Sequence, residues 1–468
     1  MKRNIVYLLG LILLLGFVAC DDAEDTSGTT TANSAKINNW IYQNMKTYYL
    51  WTNNIPASTD KSLAPDDYFE SLLYKNEDRF SWIQENFTDL LNMLSGVQRE
   101  AGYDFQLMRV KNSNAVFGNI TYVKPNSPAS NAGLQRGDIF VAIDDQRLTM
   151  DNYRTLIGKM GSQHQLDIAE YDDLQQITKT VPLSVVVYKE NPILLDTVYW
   201  IDGKKIGYFV YNFFARDNGD NTYTYERELN SLFGEFKSAG IDELIIDLRY
   251  NGGGAVTTSI ALASMVSNRT HSDIFGIGQY NGKHKNNDKD YFVDKISDTN
   301  TPINHLGIDK LHVIATRGTA SASELLINGL RPYMEVVIIG DTTYGKNVGS
   351  YTIYEKNNPA NKWGMQPIVV KYANKDEFSD YGKGFVPDVL ANETNEGFPL
   401  KQLGDTDEVM LKATIDKIFG RTPIVASARG LAKSLHNTAD FKIIATSWDR
   451  MPARRNMYIE MKEGNKDE

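Results

Sequence analysis

The sequence predicts an α/β protein preceded by a β-rich domain and a small helical one, and three observations carry that prediction. Strand-like and helix-like segments alternate from about residue 198 to 420. Short alternating or apolar runs bounded by turn residues fill residues 102–188. An apolar period of about 3.6 residues marks residues 35–97. The chain has 468 residues, 42 % hydrophobic and 23 % charged, which is ordinary globular composition and enough for several packed domains. A net charge of -10 argues against nucleic acid or anionic lipid as the main partner.

At the N-terminus, Lys2 and Arg3 precede an apolar run over residues 5–19 that is too short to span a bilayer. This pattern predicts a signal peptide over residues 1–19. With Val18-Ala19-Cys20 it resembles a bacterial lipoprotein signal, which implies cleavage before Cys20 and lipidation of that cysteine. A plain secretory signal with an incidental cysteine is the alternative. Cys20 is the only cysteine, so no disulfide forms within the chain and stability must come from packed cores. Residues 20–34 are acidic, then rich in Thr, Ser and Gly, and read as a tether. The expected location is the bacterial cell envelope, lipid-anchored and facing either the periplasm or the cell surface.

Residues 35–98 read as a helical domain, with Trp40, Ile41, Met45, Tyr68, Phe69 and Leu72 as core candidates and a break at 60–65. Residues 99–190 hold the β-rich domain. Residues 191–420 hold the alternating core, including a buried strand at 242–248 that ends in Arg249-Tyr-Asn-Gly-Gly-Gly-Ala255. A glycine run between strand and helix leaves backbone N–H groups facing outward, as an oxyanion requires. A tight turn needing positive φ is the plainer reading. Asp247 and Arg249 read as a structural ion pair.

The stretch that organises the core runs from 311 to 350. An apolar run at 311–316, a turn at Arg317-Gly318, a helix-period segment from Ser321 to about Met334 and a second apolar run at 336–340 make strand, turn, helix and strand. Parallel pairing of the two strands puts Ser321 and Lys346 on one sheet edge, where open α/β sheets place their sites. Lysine can take a serine's proton when burial lowers its pKa, so this pair reads as nucleophile and base. Thr-Ala-Ser-Ala-Ser-Glu at 319–324 also fits a helix cap, with Glu324 at the capping-box position. The run from Gly340 to Lys346 matches the start of a phosphate-binding loop, but Asn347 replaces the metal-binding hydroxyl and residues 348–354 read as a strand where that loop needs a helix.

Thr-Ala-Ser-Ala-Ser-Glu followed by Tyr344-Gly-Lys346 resembles the C-terminal processing peptidases, also called tail-specific proteases. The resemblance implies a Ser-Lys dyad of Ser321 and Lys346, with Ser323 as the nearest rival. Residues 247–254 resemble the family's glycine motif, which implies an oxyanion hole of Gly253 or Gly254 plus the N–H of Ala322. Gly382-Lys-Gly-Phe-Val-Pro-Asp388 resembles its closing motif, and Asp78-Arg-Phe-Ser-Trp82 the end of its helical domain. Pro332 stands where the family usually has an aspartate and Ser350 where it has a glutamine, leaving the group that orients the lysine open. By resemblance the core is a crotonase-like α/β fold that needs no metal or cofactor.

Ser-Pro-Ala-Ser-Asn-Ala-Gly-Leu134 followed by Arg136-Gly-Asp138 resembles a PDZ domain placed before the peptidase core. A PDZ groove adds an extended peptide to a sheet edge and caps its terminal carboxylate. The resemblance puts that loop at Gly102, Tyr103, Asp104 and Phe105, with Leu107 and Leu156 as further groove candidates. A core role for Phe105, Leu107 and Leu156 is equally open. Asp104 departs from the pattern, since its carboxylate would repel the ligand's.

Residues 281–304 read as a polar surface loop or lid, and residues 421–468 as a tail in which Arg450, Arg454 and Arg455 form a solvated basic end. The six histidines are scattered and suggest no metal site. The expectation is a serine endopeptidase acting on unstructured proteins with exposed C-termini, anchored to the membrane at Cys20. The alternative is a catalytically silent PDZ-containing binding lipoprotein. The sequence leaves the oligomeric state open.

Overall fold

The computed structural model describes residues 26–297, 299–394, 398–422 and 441–459. The expected signal peptide and Cys20 lie outside them. The described residues open with helix α1 (Thr26–Tyr48), α2 (Pro65–Leu72), strand β1 (Trp82–Gln84) and α3 (Phe87–Leu94). Ile41, Met45, Tyr68, Phe69 and Leu72 are fully buried, and they join the same hydrophobic core as the peptidase segment. α2 starts on Pro65 with Asp66 and Asp67 in its first turn, where a missing N–H is harmless and negative charge suits the helix dipole. α1 begins at Thr26, so the second part of the expected tether is helical. Once the amphipathic stretch has nucleated a helix, each preceding residue adds a hydrogen bond without a new nucleation cost.

The PDZ segment comprises β2 (Val97–Glu100), β3 (Tyr103–Val110), β4 (Val116–Val123), α4 (Pro128–Asn131), β5 (Ile139–Ile143), β6 (Gln146–Arg147), α5 (Tyr153–Lys159), β7 (His164–Glu170), β8 (Asp173–Leu183) and β9 (Val186–Lys189). It has its own core, to which Phe105, Leu107, Phe140, Leu156 and Leu166 belong. Ser127 caps α4 by accepting from the Ser130 N–H at 3.1 Å, with Pro128 in the first turn.

The core follows as β10 (Ile193–Ile201), β11 (Lys204–Tyr211), α6 (Thr224–Ala239), β12 (Glu243–Asp247), β13 (Gly254–Ala255), α7 (Val256–Val266), β14 (Ile274–Tyr280), β15 (Asp288–Tyr291) and β16 (Lys310–Ala315). Then come α8 (Ala322–Leu330), β17 (Glu335–Gly340), β18 (Val348–Tyr351), β19 (Ile353–Tyr354), β20 (Gly364–Gln366), β21 (Ile368–Ala373), β22 (Val389–Leu390) and α9 (Val409–Ile418). One sheet runs β10-β11-β12-β16-β17-β22, parallel from β11 onward. α8 stops at Leu330, short of the expected Met334, because Pro332 cannot continue a helix. The expected loop 281–304 contains β15, paired with β14, and buries Phe292, Ile296 and Ile303. Its few apolar residues are too widely spaced among Lys, Asn and Asp to show a period.

The tail departs most from expectation. β23 (Phe441–Thr446) pairs antiparallel with β3, and β24 (Met457–Ile459) lies between β13 and β18 in a second sheet ordered β13-β24-β18-β21-β14-β15. Met457 is fully buried and Tyr458 is 7 % exposed. A three-residue strand that draws its hydrogen bonds from distant partners leaves no periodic trace in sequence.

Candidate active site

β12, β16 and β17 are parallel neighbours, so the loops leaving their carboxyl ends emerge on one edge. The glycine run, Ser321 and the loop to Lys346 all belong to that edge. Ser321 precedes α8 with φ 65° and ψ -115°, a conformation that L-residues rarely adopt and that costs about 1–3 kcal/mol. It is fully buried, and its Oγ makes no hydrogen bond to any described residue.

Glu324 ties this serine to the lysine. One carboxylate oxygen, Oε2, accepts the N–H of Ser321 at 2.9 Å and the N–H of Lys346 at 2.8 Å. The other, Oε1, accepts the Gly345 N–H at 2.7 Å and the Thr343 hydroxyl at 2.5 Å. Burial pushes the Glu324 carboxyl above its usual range, and these four donors work against that rise. Glu324 thus supplies the carboxylate half of the expected capping box to Ser321, and the same carboxylate also bridges to the lysine loop.

Lys346 is fully buried, with Nζ 4.8 Å from the centre of the Phe80 ring. Burial lowers its ammonium to about 7, against the opposing pull of the Asp78 and Glu324 charges. Asp78 is held by the Tyr49 hydroxyl at 2.8 Å and by the N–H groups of Phe80 and Ser81, both at 2.9 Å. The Asp78–Trp82 motif thus brings the N-terminal domain to the lysine. Lys346 Nζ donates to the Arg455 carbonyl at 2.8 Å and to Asn456 Oδ1 at 3.4 Å.

Gly253 and Gly254 have φ of 110° and 140°. A Cβ on Gly253 would lie 2.6 Å from Ser321 Cβ and 2.9 Å from the Ala322 nitrogen, so only glycine fits against the serine. Of the donors expected for an oxyanion hole, Ala322 is the first residue of α8 and has no carbonyl of its own helix to reach. The Gly253 N–H already donates to Asn251 Oδ1 at 2.9 Å, an Asx turn that sequence reasoning did not anticipate. Ser323, the rival serine, donates to the Asn251 carbonyl at 3.0 Å.

Asp247 and Arg249 form the expected structural pair. Arg249 is fully buried, bonds Asp247 through Nε and Nη2, and reaches Glu408, the N-cap of α9, at 2.8 and 2.9 Å. Ser350 donates to Asn456 Oδ1 at 3.1 Å and also to Gln366 of β20, a strand of another sheet. A glutamine, absent from the expected position after the lysine, thus connects to Lys346 only through Ser350 and Asn456. Among the described residues no group of three or more His, Cys, Asp or Glu is placed to hold a metal.

The PDZ residues expected to bind substrate divide. Phe105 and Leu107 are buried in the PDZ core, because their strand faces inward at those positions. Tyr103 bonds His164 at 2.8 Å, and Gly102 turns at φ 86° against Ser127. Asp104 is buried and meets Ser447 and Arg454 of the tail. Burial works to raise its carboxyl, but the Arg454 and Lys124 charges hold it below the usual range. The outer edge of β3 is occupied by β23.

A mixed α/β peptidase core behind a PDZ domain and a small N-terminal domain defines a class of PDZ-containing peptidases. Residues 205–391 match Peptidase family S41, residues 36–82 the Peptidase S41 N-terminal domain and residues 120–170 a PDZ domain. The chain belongs to the S41 peptidase family. It is 24 % identical over 302 residues to the carboxyl-terminal-processing protease of Synechocystis sp. PCC 6803, covering 64 % of each chain. It is 24 % identical over 356 residues to the carboxy-terminal processing protease CtpB of Bacillus subtilis, covering 69 % of this chain and 66 % of that one. Across the first relatives the chain spans about half to two thirds of their length, from 49 % to 64 %. The crystal structure of a Bacteroides fragilis protein assigned to the S41 proteases superposes with a TM-score of 0.67 at 27 % identity, covering 81 % of this chain and 97 % of that one.

Proposed function

We propose that the chain is a serine endopeptidase in which Ser321 is the nucleophile and Lys346 the general base. The observation that carries this reading is the sharing of one Glu324 oxygen by the main chains of both residues, with the lysine lowered to about 7. A lysine that is neutral near pH 7 can accept the Ser321 proton as Oγ attacks a peptide carbonyl, then return it to the departing amine. An acyl-enzyme remains, which water hydrolyses. With the Gly253 N–H turned to Asn251, this reading assigns the developing oxyanion to the Ala322 and Gly254 N–H groups, where one donor contributes about 3 kcal/mol. The PDZ domain would present unstructured polypeptide, including exposed C-termini, to this centre by strand addition.

Cleavage of an unstructured protein by the wild type, Ser321→Ala and Lys346→Ala tests the assignment. Loss of about a thousandfold or more in each variant is expected. Undiminished cleavage by either one rejects the dyad. We also propose lipidation of Cys20, for which Cys20→Ser should move the protein from the membrane to the soluble fraction.

A further inference from the structure

Arg454 reaches from the tail into the seam between the PDZ domain and the core. Its Nη2 lies 3.0 Å from Glu190 and 3.3 Å from Asp104, and its side chain is 9 % exposed. Glu100 also faces this seam, and Lys124 Nζ lies 2.7 Å from both Glu100 and Glu190. Without Arg454, three buried carboxylates would face one lysine. Uncompensated buried charge is strongly unfavourable, so this pocket requires a cation.

The main chain on either side of Arg454 follows the course of a bound polypeptide. Upstream, β23 adds to β3 with Ile444 and Ala445 against the PDZ core, running from Val110 toward Gln106 and so toward the Gly102–Phe105 loop. The tail does not end at that loop. Ser447 passes it and donates to Asp104, where a terminal carboxylate would meet an anion. Downstream, the Arg454 carbonyl packs on Gly252, the Arg455 carbonyl accepts from Lys346, and the Asn456 carbonyl rests where a Cβ on Gly253 would come within 2.6 Å of it. Three successive carbonyls therefore cross in front of Ser321 and Lys346.

We propose that the groove from the edge of β3 to Ser321 is a channel for an extended polypeptide, that Asp104 and Glu190 read a basic side chain on it, and that residues 441–459 fill it as an internal ligand. This rests on the peptidase reading and adds to it a substrate class, chains with an arginine or lysine inside an extended segment rather than a recognised terminus. A competing substrate displaces the tail and frees Lys346 Nζ for Ser321.

Binding can be measured without hydrolysis in the full chain carrying Ser321→Ala. A labelled peptide with the sequence of residues 441–459 should bind at least tenfold more tightly once Arg454→Glu has loosened the internal tail. The same peptide with glutamate at the arginine position should gain nothing, and amidating its C-terminus should not matter. Equal binding of the two peptides, or a tenfold preference for the free carboxylate, overturns the proposal. Should the Arg454→Glu chain fail to fold, hydrogen exchange of the tail amides in the Ser321→Ala chain gives the answer. Excess arginine peptide should speed exchange over residues 441–459 and the glutamate peptide should not, and no acceleration by either overturns the proposal. A chain that binds as described but cleaves nothing removes the peptidase reading alone.

Discussion

Lys346 Nζ donates a hydrogen bond of 2.8 Å to the main-chain carbonyl of Arg455. The lysine assigned as base is thus engaged by peptide backbone, in surroundings that lower it from 10.5 to about 7 by burial. Only its neutral form can take a proton from Ser321. The pH profile of kcat/KM should therefore rise through about 7, with lysine protonated and idle below that point and neutral above it. A steady-state profile from pH 5 to 9 checks this, and a limb rising only near 10 would contradict it.

Glu324→Gln tests the bridge between nucleophile and base. The carboxylate accepts four hydrogen bonds, from Ser321, Thr343, Gly345 and Lys346. An amide nitrogen cannot accept, so at least one of the two oxygens' pairs is lost and the loops shift. Misplacement of this kind costs about 10²-fold in rate. We expect kcat to fall by about that factor with KM nearly unchanged, whereas a KM effect alone would point to a role in binding.

Gly253→Ala should abolish turnover while the chain remains folded. The added methyl would lie 2.6 Å from Ser321 Cβ, and φ at this position is 110°. The clash is local to the serine and the helix start, so circular dichroism should show intact secondary structure while hydrolysis falls to background. Activity within tenfold of wild type would show that the glycine run is not part of the reacting centre.

The parts of this molecule that were legible in the sequence are those built from contiguous residues. β16, α8 and β17 announced themselves through an apolar run, a hydroxylated turn and a helical period, and their parallel pairing follows from connectivity. The PDZ domain was legible for the same reason. Contacts between distant segments were not. Arg454 looked like a solvated end because its partners Asp104 and Glu190 lie far away in sequence, and charge alone does not tell a buried pair from a hydrated one. Gln366 beside Ser350 and Phe80 beneath Lys346 were hidden likewise, since each belongs to a different strand or domain from the residue it touches.

Glu408→Ala should destabilise the core without touching the candidate site. Arg249 is fully buried and uses Nη1 and Nη2 on Glu408, so the truncation removes two hydrogen bonds and leaves Nη1 only the more distant Glu393 at 3.6 Å. Breaking such a pair from one side costs about 3–5 kcal/mol. A clear drop in the urea midpoint is expected, with activity per folded molecule retained. An unchanged midpoint would mean that Asp247 and Glu393, whose Oε2 lies 3.6 Å from Nη1, suffice for Arg249.

Asp78→Asn separates the electrostatic role of the N-terminal domain from its packing role. The Asp78 charge favours the ammonium form of Lys346, opposing the dominant effect of burial. Neutralising it leaves the burial effect less opposed, so the lysine should lose its proton at still lower pH. The amide retains an oxygen that can accept the N–H groups of Phe80 and Ser81, which keeps the turn in place. The rising limb of kcat/KM should accordingly move below 7, whereas a structural role alone would lower the plateau and leave the limb where it was. A shift to higher pH would contradict this coupling.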